Sequence, residues 1–210
     1  MAQLSYVLTL IRSAVIGFNL KLNGHYLQAT EQIVEYCDPT PPDKILDIGG
    51  GNGKIGSIIG QKTGVPVIVA EPDKSMVEIG WRSKSQVEFI SAVGESLPFH
   101  DGGFSLTLLV HVLHHTKNFE DVVSEASRVL KIGGMIFIEE LSSRCSLWQK
   151  LCRFFESLVC GGLTIIPANR LVATLAREGI SPEFVCDASG AILVVGVKSL
   201  GVETGDKDNS

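Results

Sequence analysis

The stretch ILDIGGGNGKIG, positions 45–56, constrains this chain more than any other. Ile45, Leu46 and Ile48 read as a short buried strand, and the glycines that follow force a tight turn. From Lys54 onward, Ile55, Ile58 and Ile59 fall at helical spacing. A strand that enters a glycine-rich turn and leaves it as a helix is a nucleotide-binding device. Bare glycine lets ligand and backbone approach closely, and the helix start offers unpaired N–H groups.

Asp47 narrows the choice of nucleotide. It stands at the carboxyl end of the strand, two residues before the first loop glycine, Gly49. A pyrophosphate lying against this turn would be repelled by a carboxylate, whereas a ligand carrying an ammonium and a sulfonium beside its ribose would be attracted. S-adenosylmethionine is such a ligand. The string Asp47-Ile48-Gly49-Gly50-Gly51-Asn52-Gly53 resembles motif I (D/E-x-G-x-G-x-G) of the class I S-adenosylmethionine-dependent methyltransferases. Gly51-Asn52-Gly53-Lys54-Ile55-Gly56 also satisfies the dinucleotide pattern G-x-G-x-x-G, which alone is weak. A P-loop is disfavoured because Ile55, not Ser or Thr, follows Gly53-Lys54.

Composition sets the frame. A chain of 210 residues with 45% hydrophobic and 20% charged residues suits a single globular domain. We expect a helical N-terminal arm over 1–42, a sheet core over 43–200 and a polar tail over 201–210. A net charge of -5 argues against a broad nucleic-acid footprint. Cys37, Cys145, Cys152, Cys160 and Cys186 are odd in number and scattered, without zinc spacing, which suits a reduced cytoplasmic setting. Residues 4–22 are apolar but interrupted by Arg12. They lack a basic lead and a cleavage site, and carry Leu4, Val7, Leu8, Ile11, Val15, Phe18 and Leu22 at three-to-four spacing. An amphipathic helix fits better than a signal peptide or membrane span, so no integral membrane segment is expected.

After a second helical run over 26–37, Asp38-Pro39-Thr40-Pro41-Pro42 is a firm break. Strands and helices then alternate: strands over 45–48, 65–70, 87–90, 104–110 and 135–138, with helices over 75–81 and 119–130 between them. Continuous apolar strands separated by helices predict a parallel sheet covered on both faces. Past an amphipathic region over 142–163 and a helix over 167–177, two strands (183–186 and 191–197) are joined by Asp187-Ala188-Ser189-Gly190, too short for a crossover. The expected fold is therefore α/β: a Rossmann-like, seven-stranded, mostly parallel sheet with an antiparallel C-terminal hairpin, plus N-terminal helices.

Four further stretches carry the methyltransferase resemblance. Ala70-Glu71-Pro72-Asp73 closes the second strand, where the family's acid accepts from the ribose hydroxyls. Nicotinamide enzymes place an acid similarly, and Asp73 also reads as an N-cap. Phe89 to Phe99 resembles F-x-x-G-D-A-E-x-L-P-F, with Val93 at the adenine-binding Asp and Gly94 after it. Valine cannot accept from the adenine amine, so backbone groups and apolar contact would hold that ring. Phe104 to His115 resembles F-D-x-V-x-x-x-x-x-L-H-H of small-molecule methyltransferases, including the ubiquinone/menaquinone type. Arg128 to Gly134 resembles R-x-L-x-P-G-G, with Ile132 for the proline. The resemblance spans roughly residues 45–140.

What it implies is S-adenosylmethionine as cofactor, bound by Asp47, Gly49, Gly50, Gly51, Gly53, Glu71, Pro72, Val93, Gly94 and Val110. His111 is the candidate catalytic residue on the acceptor side, because histidine titrates near neutrality and Val110-His111 ends the fourth strand. No metal is expected: no H-E-x-x-H spacing surrounds His111, His114 and His115. The amphipathic, aromatic-containing N-terminal arm and residues 142–163 are free to cover the cleft, which suggests a small apolar acceptor. Those helices could equally just cap the sheet. Three functions remain open: methyl transfer to a small molecule, a cofactor-binding module without turnover, and a nicotinamide oxidoreductase.

Overall fold

A computed structural model describes residues 25–83, 86–142, 164–188 and 191–199. The expected helix over 4–22, the amphipathic region over 143–163 and the tail over 201–210 lie outside the described residues, as does the side chain of Tyr26. Helix α1 is His25–Cys37, followed by strand β1, Ile45–Ile48. Helix α2 (Lys54–Thr63) leads to β2 (Val67–Ala70), and α3 (Lys74–Arg82) to β3 (Glu88–Ile90). Strand β4 (Phe104–Val110) runs through a 3-10 turn, Leu113–His115, into α4 (Phe119–Val129). Then come β5 (Leu130–Leu141), α5 (Ala168–Arg177), β6 (Ile180–Ala188) and β7 (Ala191–Lys198).

These strands form one seven-stranded sheet in the order β3-β2-β1-β4-β5-β7-β6. Strands β1 to β5 are parallel, and β7 pairs antiparallel with both β5 and β6. The order reverses between β1 and β4, so the carboxyl ends of those strands flank the crevice where open α/β sheets bind ligands. All four residues of β1 are buried, as burial on both faces requires.

One face packs Ile33 of α1 and Ile59 of α2 against Ile45, Leu106, Leu108 and Phe137. The other packs Val122, Val123 and Ala126 of α4, with Leu171 and Leu175 of α5, against Leu46, Ile48, Ile136 and Ile138.

The structure departs from the sequence reading at the start of β5. A turn is expected at Ile132-Gly133-Gly134, yet Leu130 already pairs with Phe104, and pairing resumes at Leu106–Met135. The glycines form a bulge inside the strand, with Gly133 at φ 76°. Residues 183–186 likewise grow into the nine-residue β6, because β7 offers pairing partners along its whole length.

Candidate functional site

The loop after β1 is shaped by glycine at positions where a side chain has no room. Gly49, Gly51 and Gly53 have φ of 67°, 58° and 70°, the left-handed region open to glycine. A Cβ at Gly50 would come within 2.4 Å of Asp47 Oδ2, and one at Gly53 within 2.7 Å of Val87. Gly53 is also the N-cap of α2 and has no side chain of its own to cap it, while Asn52 Oδ1 accepts from the Lys54 N–H at 3.3 Å.

Asp47 lies beneath this loop, 1% exposed, and its Oδ2 has no hydrogen-bond partner among the described residues. Burial, and then the neighbouring Glu71 carboxylate, push its pKa up to about 7; a backbone N–H bond from Gly56 acts the other way. A carboxylate so placed is a strong acceptor for a cation.

Glu71, at the end of β2, is also buried. Its Oε2 accepts from the Gly51 N–H at 3.0 Å and its Oε1 from the Asp73 N–H at 2.8 Å. It thus ties the glycine loop to the β2–α3 turn, a role its sequence position did not announce. A carboxylate has about four lone-pair sites, so two donors leave capacity for hydroxyls. Burial raises its pKa, against the pull of those two N–H bonds. Asp73 caps α3, accepting from the Ser75 N–H at 2.9 Å.

Further along the rim, Pro72 is exposed, Val93 is 47% exposed, and a Cβ at Gly94 would press on Val122 at 3.0 Å. Val110 is half-buried at the tip of β4. His111 has φ 56°, unusual for any residue but glycine, and its N–H donates to the Glu139 carbonyl at 2.8 Å. The β1 and β4 tips meet directly, since a Cβ at Gly49 would strike the Val112 side chain at 2.8 Å. The expected cofactor residues thus lie after the carboxyl ends of β3, β2, β1 and β4, strands that neighbour one another in that order.

Sequence reasoning missed one group. Glu140, near the end of β5, is fully buried and contacts His114: Glu140 Oε1 meets His114 Nδ1, and Oε2 accepts from the His114 N–H at 3.2 Å. Spacing along the chain had offered the histidines no carboxylate; the β4–β5 pairing supplies one 26 positions away. The legible signal was Glu139-Glu140 closing an otherwise apolar strand at its carboxyl end.

A family model described as a methyltransferase domain matches residues 46–138. The ubiquinone/menaquinone biosynthesis C-methyltransferase of Stenotrophomonas maltophilia (strain R551-3) is 27% identical over 140 residues, 63% of this chain and 53% of that protein. The chain spans about half the length of the curated relatives it matches. Among solved structures, geranyl diphosphate C-methyltransferase from Streptomyces coelicolor A3(2), in complex with Mg2+, geranyl diphosphate and S-adenosyl-L-homocysteine, superposes with TM-score 0.68. It is 15% identical and covers 81% of this chain and 77% of that one. The [4+2]-cyclase SpnF superposes with TM-score 0.70 at 17% identity, covering 83% and 81%. At such identities the likeness is one of fold.

Proposed function

We propose that the chain is a class I S-adenosylmethionine-dependent methyltransferase, as its similarity to the methyltransferase-domain model and to the C-methyltransferases supports, and that it transfers a methyl group from S-adenosylmethionine to a small, apolar acceptor. The observation that carries this reading is the buried Oδ2 of Asp47, without a hydrogen-bond partner among the described residues and close to the bare backbone of Gly50. A buried carboxylate with one oxygen unsatisfied is costly to ionise, and an ammonium group relieves that cost where a diphosphate would aggravate it. Bound there, S-adenosylmethionine supplies a methyl group on a positively charged sulfur, open to in-line displacement.

The chain's own residues have distinct tasks in this reading. Asp47 takes the methionine ammonium, while Gly49, Gly50, Gly51 and Gly53 keep the backbone bare for close approach. Glu71 accepts from the ribose hydroxyls with the capacity its two N–H donors leave. Pro72, Val93 and Gly94 flank the adenine, and Val110 with His111 faces the acceptor. Holding the acceptor atom in line with the methyl group is the main catalytic contribution, since positioning alone can lower such a barrier by several kcal/mol, about 7–11 in the best-oriented cases. The similarity to quinone-pathway C-methyltransferases supports a phenolic or enolic acceptor with an apolar tail. The cytoplasmic setting is part of the same proposal. The half-buried Cys37 thiol, pushed up to about 12 by desolvation, is a poor thiolate and suits a reduced, unreactive role.

A second reading is favoured by one feature: Val93, half-exposed on the rim, offers no side-chain acceptor for adenine. It is a module that binds the cofactor without turnover, and the same fold also serves a [4+2]-cyclase. Methyl-labelled S-adenosylmethionine incubated with the protein and a cell extract separates the two. Label passing into an organic-soluble product supports methyl transfer. Binding of S-adenosylhomocysteine with no transferred label supports the second reading. Binding of NAD(P) in place of S-adenosylhomocysteine would support neither.

A further inference from the structure

The tips of β4 and β5 hold a cluster that the cofactor rim does not use. His114 is 2% exposed and Glu140 fully buried. Glu140 Oε1 meets His114 Nδ1 and also accepts from the Leu141 N–H at 2.8 Å, so this carboxylate is fixed in place. The other ring nitrogen, His114 Nε2, is buried with no hydrogen-bond partner among the described residues. His111 stands beside this pair, its ring centroid 6.1 Å from that of His114. One donor atom from each of His111, His114 and Glu140 lies within 4.8 Å of the others.

Two further observations point to a ligand. The strained backbone at His111 holds its imidazole at the strand tip, and such strain persists where the surroundings enforce a particular side-chain position. Its Nε2 lies 3.5 Å from Oε1 of Glu139, a carboxylate that is itself buried. A histidine oriented by a carboxylate is the arrangement that metal-ligating imidazoles adopt.

We propose that His111, His114 and Glu140 form a binding site for a divalent first-row cation of the zinc type, with Glu139 orienting His111. Two imidazole nitrogens and one carboxylate oxygen are the donor set of open zinc and related sites, and three protein donors leave a position for an outside ligand. On the methyl-transfer reading, that position takes an oxygen of the acceptor, which restricts acceptors to those with a hydroxyl or enol group near the methylated atom. The cation site itself does not depend on that reading.

The test uses the full chain, stripped with a chelator and desalted. Zinc is titrated calorimetrically, and cobalt(II) is followed by its visible absorption, which reports nitrogen and oxygen ligands without any variant. We expect one tight equivalent of zinc and a cobalt spectrum of low-coordinate type. His111→Asn tolerates the positive φ and removes the imidazole; together with Glu140→Gln it should weaken zinc binding by about tenfold or more. Absence of zinc binding, a fully hydrated cobalt spectrum, or equal affinity in both folded variants would overturn the site. S-adenosylhomocysteine titrated into the same samples tests the cofactor reading separately, since His111→Asn leaves Asp47 and Glu71 untouched.

Discussion

At the scale of single residues, Asp47 makes the sharpest demand. Its folded pKa of about 7 exceeds the ordinary aspartate value of roughly 3.9. A carboxyl raised in this way holds its proton in the folded state, so it favours folding at low pH. That advantage is lost as pH rises from about 4 to about 7. A cationic ligand reverses the preference by favouring the ionised form. Affinity for S-adenosylhomocysteine should therefore climb with pH up to about 7 and level off above it. Below that point it should fall by up to about tenfold per pH unit. Calorimetric titrations between pH 5.5 and 8.5 check this, and a flat profile would contradict it. Gly50 makes a steric demand on the same carboxylate. Gly50→Ala places a Cβ 2.4 Å from Asp47 Oδ2, and should weaken cofactor binding by about tenfold or more, on the order of 1.4 kcal/mol. Gly64→Ala is the control, because nothing lies within 4 Å of a Cβ there. Its φ of 71° makes it cost stability, about 1 kcal/mol, without touching the site.

Secondary-structure elements carry the next level, because the rim exists only where loops are fixed to strand ends. Asp73 caps α3 through the Ser75 N–H and donates its own N–H to Glu71. Asp73→Ala should lower stability by about 1 kcal/mol, read as a drop in melting temperature. It should spare the ribose role proposed for Glu71, because the backbone N–H that holds that carboxylate remains. At this scale much was legible in the sequence. Motif I marked β1, the glycine loop and α2, because glycine and period-2 or period-3.6 patterning act locally. The tip of β5 was not legible as a site, because the contact between His114 and Glu140 forms only when β5 pairs alongside β4. Glu71 was placed on the rim, yet its grip on the Gly51 N–H joins residues twenty positions apart and could not be read from spacing. The bulge at Gly133 was mistaken for a turn because the same glycines serve either purpose.

For the whole molecule, the strand order decides where chemistry can occur. Reversal between β1 and β4 gathers Asp47, Glu71 and His111 at one edge of the sheet, although they are spread over much of the chain. The core on both faces is apolar and continuous, so the sheet serves as a rigid base and the strand tips hold the variable chemistry. Among the described residues no helix is long and apolar enough to cross a membrane. The seven-stranded, mostly parallel sheet with its antiparallel C-terminal pair was legible in the sequence because alternating apolar strands and helices admit few topologies. The acceptor's identity lies beyond such rules, since it depends on which side chains meet over the cleft. The most direct test of the central claim is a calorimetric titration of S-adenosylhomocysteine into the native protein and into Asp47→Asn. The account predicts clear binding by the native chain and an affinity lower by about tenfold or more in the variant. The variant's melting temperature without ligand should equal or exceed the native value, because a buried carboxylate whose Oδ2 has no partner among the described residues has been removed. Equal affinity in the two proteins would contradict the assignment of Asp47 to the cofactor's cation.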